Sequence, residues 1–232
     1  MSRRDTRPRA AAPAPRPAAP GDADLTMLPS VRWDSPGHVG LALDIPIGGL
    51  YLGTDRAGRP AAVAAIQPHP VRLGVLGHPA LAAALVYRLV GVGCHVAVLT
   101  ADDRYWATLR TLITGPGLTW LDGPSNWPPA PGSAPATYPG PQVLVVDHPS
   151  PPPMWVGEHP WCTVVHVSAA PPEGTEFWSR VDAILLTGQG YSGVVARRFG
   201  HPDAALADEL RPGEIALADR HGVLPILFPR TP

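Results

Sequence analysis

Apolar positions along this chain come in short runs rather than long helical stripes. Val71–Leu76, His95–Thr100, Leu118–Leu121, Gln142–Asp147, Thr163–Val167 and Ala183–Thr187 are dominated by Val, Leu, Ile and Ala, with no polar residue on alternate positions. Runs apolar on both faces predict strands of a parallel sheet that is covered on both sides. Helical patterns separate them. Pro79–Val92 places Leu81, Leu85 and Leu89 on one stripe, with Ala82, Ala83 and Ala84 adding helix propensity. Asp102-Asp103 can cap a helix over Arg104–Ile113. Phe177–Val181 reads as a helical turn, and Tyr191–Phe199 and Ala204–Leu210 as helices. The alternation predicts an α/β domain over 71–232 with a mostly parallel sheet of about five or six strands. Glu214–Ala218 and Leu224–Phe228, either side of His221-Gly222, predict a closing β hairpin.

The flanks differ. Over 28–70, the runs His38–Asp44, Leu50–Asp55 and Ala61–Gln67 are broken by Pro46, Gly48-Gly49 and the turn Arg56–Pro60, which predicts an N-terminal β meander packed on the core. Residues 1–27 are rich in Arg, Ala and Pro and show no apolar period, so they cannot bury enough surface to offset ordering entropy and are expected to be disordered. Their arginines (Arg3, Arg4, Arg7, Arg9, Arg16) can meet an anionic surface, but a solvated tail is the simpler reading. Seven prolines in 124–141 predict an irregular surface loop.

Composition narrows the chemistry. The net charge of −1 gives no general basic field, hence no strong nucleic-acid signal. No apolar stretch approaches the roughly 20 residues that span a bilayer, so no transmembrane segment is expected. Cys94 and Cys162 lie in apolar runs and read as buried, reduced thiols of a cytoplasmic protein. His78, His95, His148, His159 and His166 form no metal spacing, so no metal site is expected. Gly190-Tyr191-Ser192-Gly193-Val194 lacks the final glycine of a nucleophile elbow. Of the seven tryptophans, Trp127, Trp155 and Trp161 stand on Pro-rich loops, where they either fold the loops onto the sheet or form a protein-binding surface.

The most informative feature is that all 18 basic side chains are arginine; the chain has no lysine. The strand–turn–helix at Val71–Leu85 has the layout of a phosphate-binding loop, whose pattern is GxxxxGK[ST]. Laid on Gly77, that pattern puts Ala82 at the second glycine, Ala83 at the lysine and Ala84 at the magnesium-binding Ser/Thr. Asp147 closes the apolar run Val143–Val146 as the acid of a Walker B strand does, and can equally be a strand-end acid that caps the next turn. Gly77, Ala82, Ala83, Ala84 and Asp147 therefore outline a vestigial nucleotide site, with no catalytic residue and no cofactor. A second reading takes Gly74, Gly77 and Ala80 as a degenerate GxxGxxA of a Rossmann-like NAD(P)- or FAD-binding unit, with Asp102 or Asp103 as its ribose acid.

Several ordered pieces carry a family resemblance. Leu52-Gly53-x-Asp55-x-x-Gly58-x-Pro60, then Pro68-His69 and Gly77, resembles the entry to the motor domain of FtsK-type ATPases, the additional-strand P-loop family of DNA translocases, type VII secretion and conjugation. Val143–Asp147 resembles its Walker B strand and Thr163–Pro172 its sensor strand, while Leu210-x-x-Gly213-Glu214 resembles its closing motif. The resemblance implies a P-loop NTPase-like fold over roughly 50–228. In the family the loop lysine and Ser/Thr handle phosphate and Mg²⁺; here Ala83 and Ala84 stand there, His148 follows Asp147 where an acid is expected, and the sensor's Gln-Arg is missing. The resemblance then implies a degenerate, non-hydrolysing module, an assembly or regulatory subunit of a secretion or DNA-translocation system. Its partner would be an active ATPase of the same family or another copy of itself, peripheral to a membrane machine.

Overall fold

A computed structural model describes residues 49–123, 127, 140–171 and 174–229. The predicted disordered tail, the meander before residue 49 and most of the Pro-rich loop lie outside the described residues.

The architecture is α/β, built on one mixed sheet of ten strands among the described residues. They are β1 (Leu50–Asp55), β2 (Pro60–Val63), β3 (Val71–Leu76), β4 (His95–Thr100), β5 (Leu118–Trp120), β6 (Gln142–Asp147), β7 (Cys162–Ser168), β8 (Ala183–Leu186), β9 (Glu214–Asp219) and β10 (Gly222–Leu227). Their order is β2-β1-β10-β9-β8-β3-β7-β6-β4-β5. From β8 to β5 neighbours are parallel; β9, β10, β1 and β2 continue the sheet antiparallel.

Among the described residues four α-helices cover the faces: α1 (Ala80–Gly91), α2 (Ala107–Leu112), α3 (Glu176–Ser179) and α4 (Ser192–Phe199). One core lies under α1 and α2, joining Leu81, Leu85 and Leu89 to Leu73, Val75, Val98 and Val145. The other lies under α3 and α4, joining Phe177, Trp178 and Val195 to Leu76, Leu144, Ile184 and Leu186. The parallel strands are buried on both faces, as their unbroken apolar runs require. No helix among the described residues is long and apolar enough to cross a membrane.

The structure corrects the expected strand count. The two terminal hairpins are not separate layers; they prolong the parallel sheet from β8, so it is wider than the five or six strands that the βα alternation alone suggests. Single-residue chemistry fixes this join. Asp55 caps the β1–β2 turn, its Oδ1 accepting the amides of Ala57 (2.9 Å) and Arg59 (2.8 Å). Arg56, the next residue, reaches Glu214 at the start of β9 with a two-pronged contact, Nε to Oε1 at 3.0 Å and Nη2 to Oε2 at 2.8 Å. The Arg211 amide adds a third donor at 2.9 Å. Thus the entry motif at 52–60 and the closing motif at 210–214 touch, although 158 residues separate Arg56 from Glu214.

The Arg56 guanidinium, mostly through its hydrogen bonds, pulls the Glu214 carboxyl from 4.5 down to about 2. A depressed carboxylate stabilises the fold fully above its unfolded pKa and loses that contribution as pH falls through its folded one. We expect Glu214→Gln to lower the urea midpoint at pH 6, and the gap between the two proteins to close between about pH 4.5 and about pH 2. A gap that stays constant over that window would mean that the pair contributes nothing through charge.

Candidate functional site: the turn after β3

β3 lies between β7 and β8, and its turn into α1 consists of Gly77, His78 and Pro79 alone. This is where a P-loop would wrap phosphate oxygens with free amides. Here the amides are already used. Gly77 donates to the Ser168 carbonyl of β7 at 3.0 Å, and His78 donates to the Thr187 hydroxyl beyond β8 at 2.6 Å. Pro79 has no amide. Ala80 donates to its neighbour's imidazole, His78 Nδ1, at 3.1 Å. Leu81 donates to the His78 carbonyl (3.2 Å) and Ala83 to that of Pro79 (3.1 Å).

The helix therefore starts at Ala80, and Ala82, Ala83 and Ala84 fall inside it. Ala82 is buried against the core and Ala83 packs at its edge. None of the three lines a loop. Gly77 has φ +106°, and a Cβ there would collide with the carbonyl and hydroxyl oxygens of Thr187. Its glycine is demanded by the approach of β8. The ring of Tyr105 stands edge-on to His78, 4.8 Å between centroids.

Asp147 ends β6, two strands from β3. Its Oδ2 accepts the indole N–H of fully buried Trp106 at 2.7 Å and the Thr100 hydroxyl at 3.1 Å. It is tied to β4 and α2, not to α1. His148, the next residue, is exposed; its Nδ1 accepts the Ser150 amide, and its carbonyl binds His166 Nε2 at 2.8 Å. His166 on β7 is wholly buried, and its Nδ1 accepts the Trp178 indole N–H at 2.9 Å. One ring nitrogen accepts and the other donates, so the imidazole is held neutral as a single tautomer. Burial lowers its pKa below the ordinary 6.5.

The residues of the dinucleotide reading are also accounted for. Gly74 leaves the space in which the Trp178 ring lies. Asp102 is gripped by Arg104, whose Nε sits 2.9 Å from both carboxylate oxygens, and its pKa falls to about 2. Asp103 pairs with Arg110 at 2.9 Å. A dinucleotide fold places its first two strands side by side, whereas β7 and β6 separate β3 from β4.

Sequence reasoning overlooked a second closure. The turn between β8 and α4 also offers amides, and Asp208 fills it: Oδ1 accepts from Gly190 (2.7 Å), Tyr191 (2.8 Å) and Ser192 (3.2 Å), and Oδ2 takes the Ser192 hydroxyl. These bonds lower its pKa. Nothing local in the sequence marks this pairing, since 16 residues separate Asp208 from Ser192. Of the tryptophans on Pro-rich loops, Trp127 is buried beside Gly157, while Trp155 is 61% exposed.

We expect Gly77→Ala to cost about 1–3 kcal/mol in folding stability, from φ strain and the Thr187 collision. Urea unfolding checks it; a neutral effect would mean that the turn is not pressed on β8. The depressed His166 pKa means that the unfolded chain binds a proton which the folded one does not. Stability should therefore fall as pH drops below about 6.5. His166→Gln should flatten that slope in urea titrations from pH 7.5 to 5; an unchanged slope would assign it to other groups.

No family model matches the chain, and no curated protein matches it. Among solved structures, it is similar to one described as the cytoplasmic domain of EssC, at 15% identity and a TM-score of 0.50, over 79% of this chain. The chain spans 43% of the length of that structure. A weaker likeness, at 8% identity and a TM-score of 0.47, is to the genome packaging NTPase B204 from Sulfolobus turreted icosahedral virus 2 in complex with AMP, over 69% of this chain and 98% of that one. The likeness to the first structure shows the fold: an α/β domain with a mostly parallel sheet, similar to that of the cytoplasmic domain of EssC.

Proposed function

We propose that this module does not hydrolyse nucleotide and serves as an assembly or regulatory subunit. The observation that carries the reading is the turn Gly77–Pro79, which is three residues long and has its amides bonded internally. Hydrolysis needs a cradle for the β- and γ-phosphates, a cation against the transferred group and a ligand for Mg²⁺. The turn has no room for a cradle. Ala83 and Ala84 supply neither cation nor ligand, and Arg104, the nearby guanidinium, is committed to Asp102. Asp147 spends Oδ2 on Trp106 and Thr100. What remains of the ancestral design is a rigid sheet with intact edges, suited to docking rather than turnover.

The partner in this reading is an active ATPase of the same family or a second copy of the chain. The setting is a secretion or DNA-translocation machine, with the module on the cytoplasmic side. The likeness to a structure described as a cytoplasmic domain supports that placement.

The test is phosphate release by the purified chain with ATP, Mg²⁺ and DNA, alongside thermal shifts with ATP, ADP, NAD, NADP and FAD at millimolar concentration. We expect background release and no shift with any of them. Binding at a hundredfold excess over Kd would add roughly 2.7 kcal/mol of stability, a shift too large to miss. Turnover abolished by Asp147→Asn would overturn the proposal. A shift with ADP alone would make it a nucleotide sensor, and one with NAD lost in Asp102→Ala would restore the dinucleotide reading.

A further inference from the structure

A cleft of about 740 Å³ lies between α3 and α4. Its floor is apolar: Trp178 of α3, Ile184 of β8 and Val194 of α4 line it. The floor is also stiff. The Trp178 indole is tied to His166 at 2.9 Å, and its ring fills the space left by Gly74. Small-molecule sites are concave, of this order of size, and set a few polar groups against an apolar lining.

The polar groups here favour one sign. Arg197 and Arg198, consecutive residues in the last turn of α4, both line the cleft. Neither forms an ion pair among the described residues, where six other arginines each hold a carboxylate. Glu176 on the opposite wall has Arg180 at 2.9 Å, so its charge is met. Arg198 is set in place: Nη2 donates to the Val181 carbonyl at 2.5 Å, and Cζ stands 4.9 Å from the centroid of the Phe199 ring. Its Nε is buried and has no acceptor among the described residues, which is unfavourable for a donor. Arg197 is exposed, and its side chain makes no hydrogen bond among the described residues. One guanidinium is therefore fixed and under-used, and its neighbour is free to close over an anion.

We infer that this cleft binds a small aromatic carboxylate, with its ring on Trp178, Ile184 and Val194 and its carboxylate on Arg197 and Arg198. A carboxylate has the planar, two-oxygen shape that guanidinium donors grip with paired hydrogen bonds. The two free charges sit on consecutive residues, so they serve one anionic group rather than a row of them. That sets a small ligand above an acidic segment of a protein. The site shares no residue with the β3 turn and stands whether or not a nucleotide binds there.

The experiment is equilibrium dialysis of the full chain against 2-naphthoate, with the bound probe read by its fluorescence, alongside the neutral 2-naphthamide. A second reading takes amide hydrogen exchange with and without naphthoate. We expect saturable binding of naphthoate, and binding of the amide about tenfold weaker for want of the charge-assisted bonds. Arg197→Gln should weaken naphthoate by about the same factor and leave the thermal melt unchanged, because that side chain holds nothing in the fold. Exchange should slow over 192–199. No saturable binding, equal affinity for the amide, wild-type affinity in Arg197→Gln, or protection confined to other segments would overturn the inference. So would a capped octapeptide of Glu that binds while naphthoate does not, because the occupant would then be an acidic protein segment.

Discussion

The upper end of this sheet depends on how the turn after β3 is tied to both its neighbours. The Gly77 amide is held by the Ser168 carbonyl and the His78 amide by the Thr187 hydroxyl, one bond to each flanking strand. A phosphate-binding loop works because its amides converge on empty space; the ligand satisfies them. Once the flanking strands supply the acceptors, there is no unmet demand for an anion, and the loop can shorten to three residues. α1 then begins directly above β3, and its first turn carries alanine because it now packs against the core. The short turn and the alanines go together: with the helix starting at Ala80, Ala82 is buried in the core and Ala83 packs at its edge.

The same logic recurs around the site. Asp208 plays the anion at the β8–α4 turn, Trp106 and Thr100 take up Asp147, and Arg104 takes up Asp102. Each of these three carboxylates has an internal partner. The His166–Trp178 bond extends this into the other core, where Gly74 makes room for the indole. A buried polar network with every member satisfied rigidifies its surroundings, which suits a module that holds a shape.

How much of this could be read from the sequence depends on range. The parallel strands were legible because burial on both faces leaves unbroken apolar runs, as in Val143–Val146. The two expectations laid on 77–84, a helix from Pro79 and a P-loop reaching Ala84, are incompatible, and the helix prevails. Its propensity is local, whereas the loop needs a ligand to hold it open. Gly77 was legible as a glycine but not in its reason, because Thr187 stands more than a hundred residues away. The width of the sheet was hidden for a related cause: Arg56 and Glu214 sit in two motifs whose order shows in the sequence but whose contact does not. Trp106 and Asp208 carry no local signal at all, since each is defined by a partner from another element.

The two ends of the sheet now differ in a way that bears on how such a module evolves. At the upper end, the amides of the turn and the side chains around it bond to one another, and each bond also stabilises the fold. At the base, Asp182, Asp203 and Asp219 have no ion pair among the described residues, where six other carboxylates pair with arginine. Mutual repulsion of uncompensated carboxylates destabilises a folded protein, and replacing one with a neutral residue is among the easiest stabilising changes. At the base this cost is met by backbone bonds instead of arginine: Asp182 accepts the Arg72 amide, Asp203 that of Val223 and Asp219 that of His221, so each carboxylate pins a strand or turn end in place.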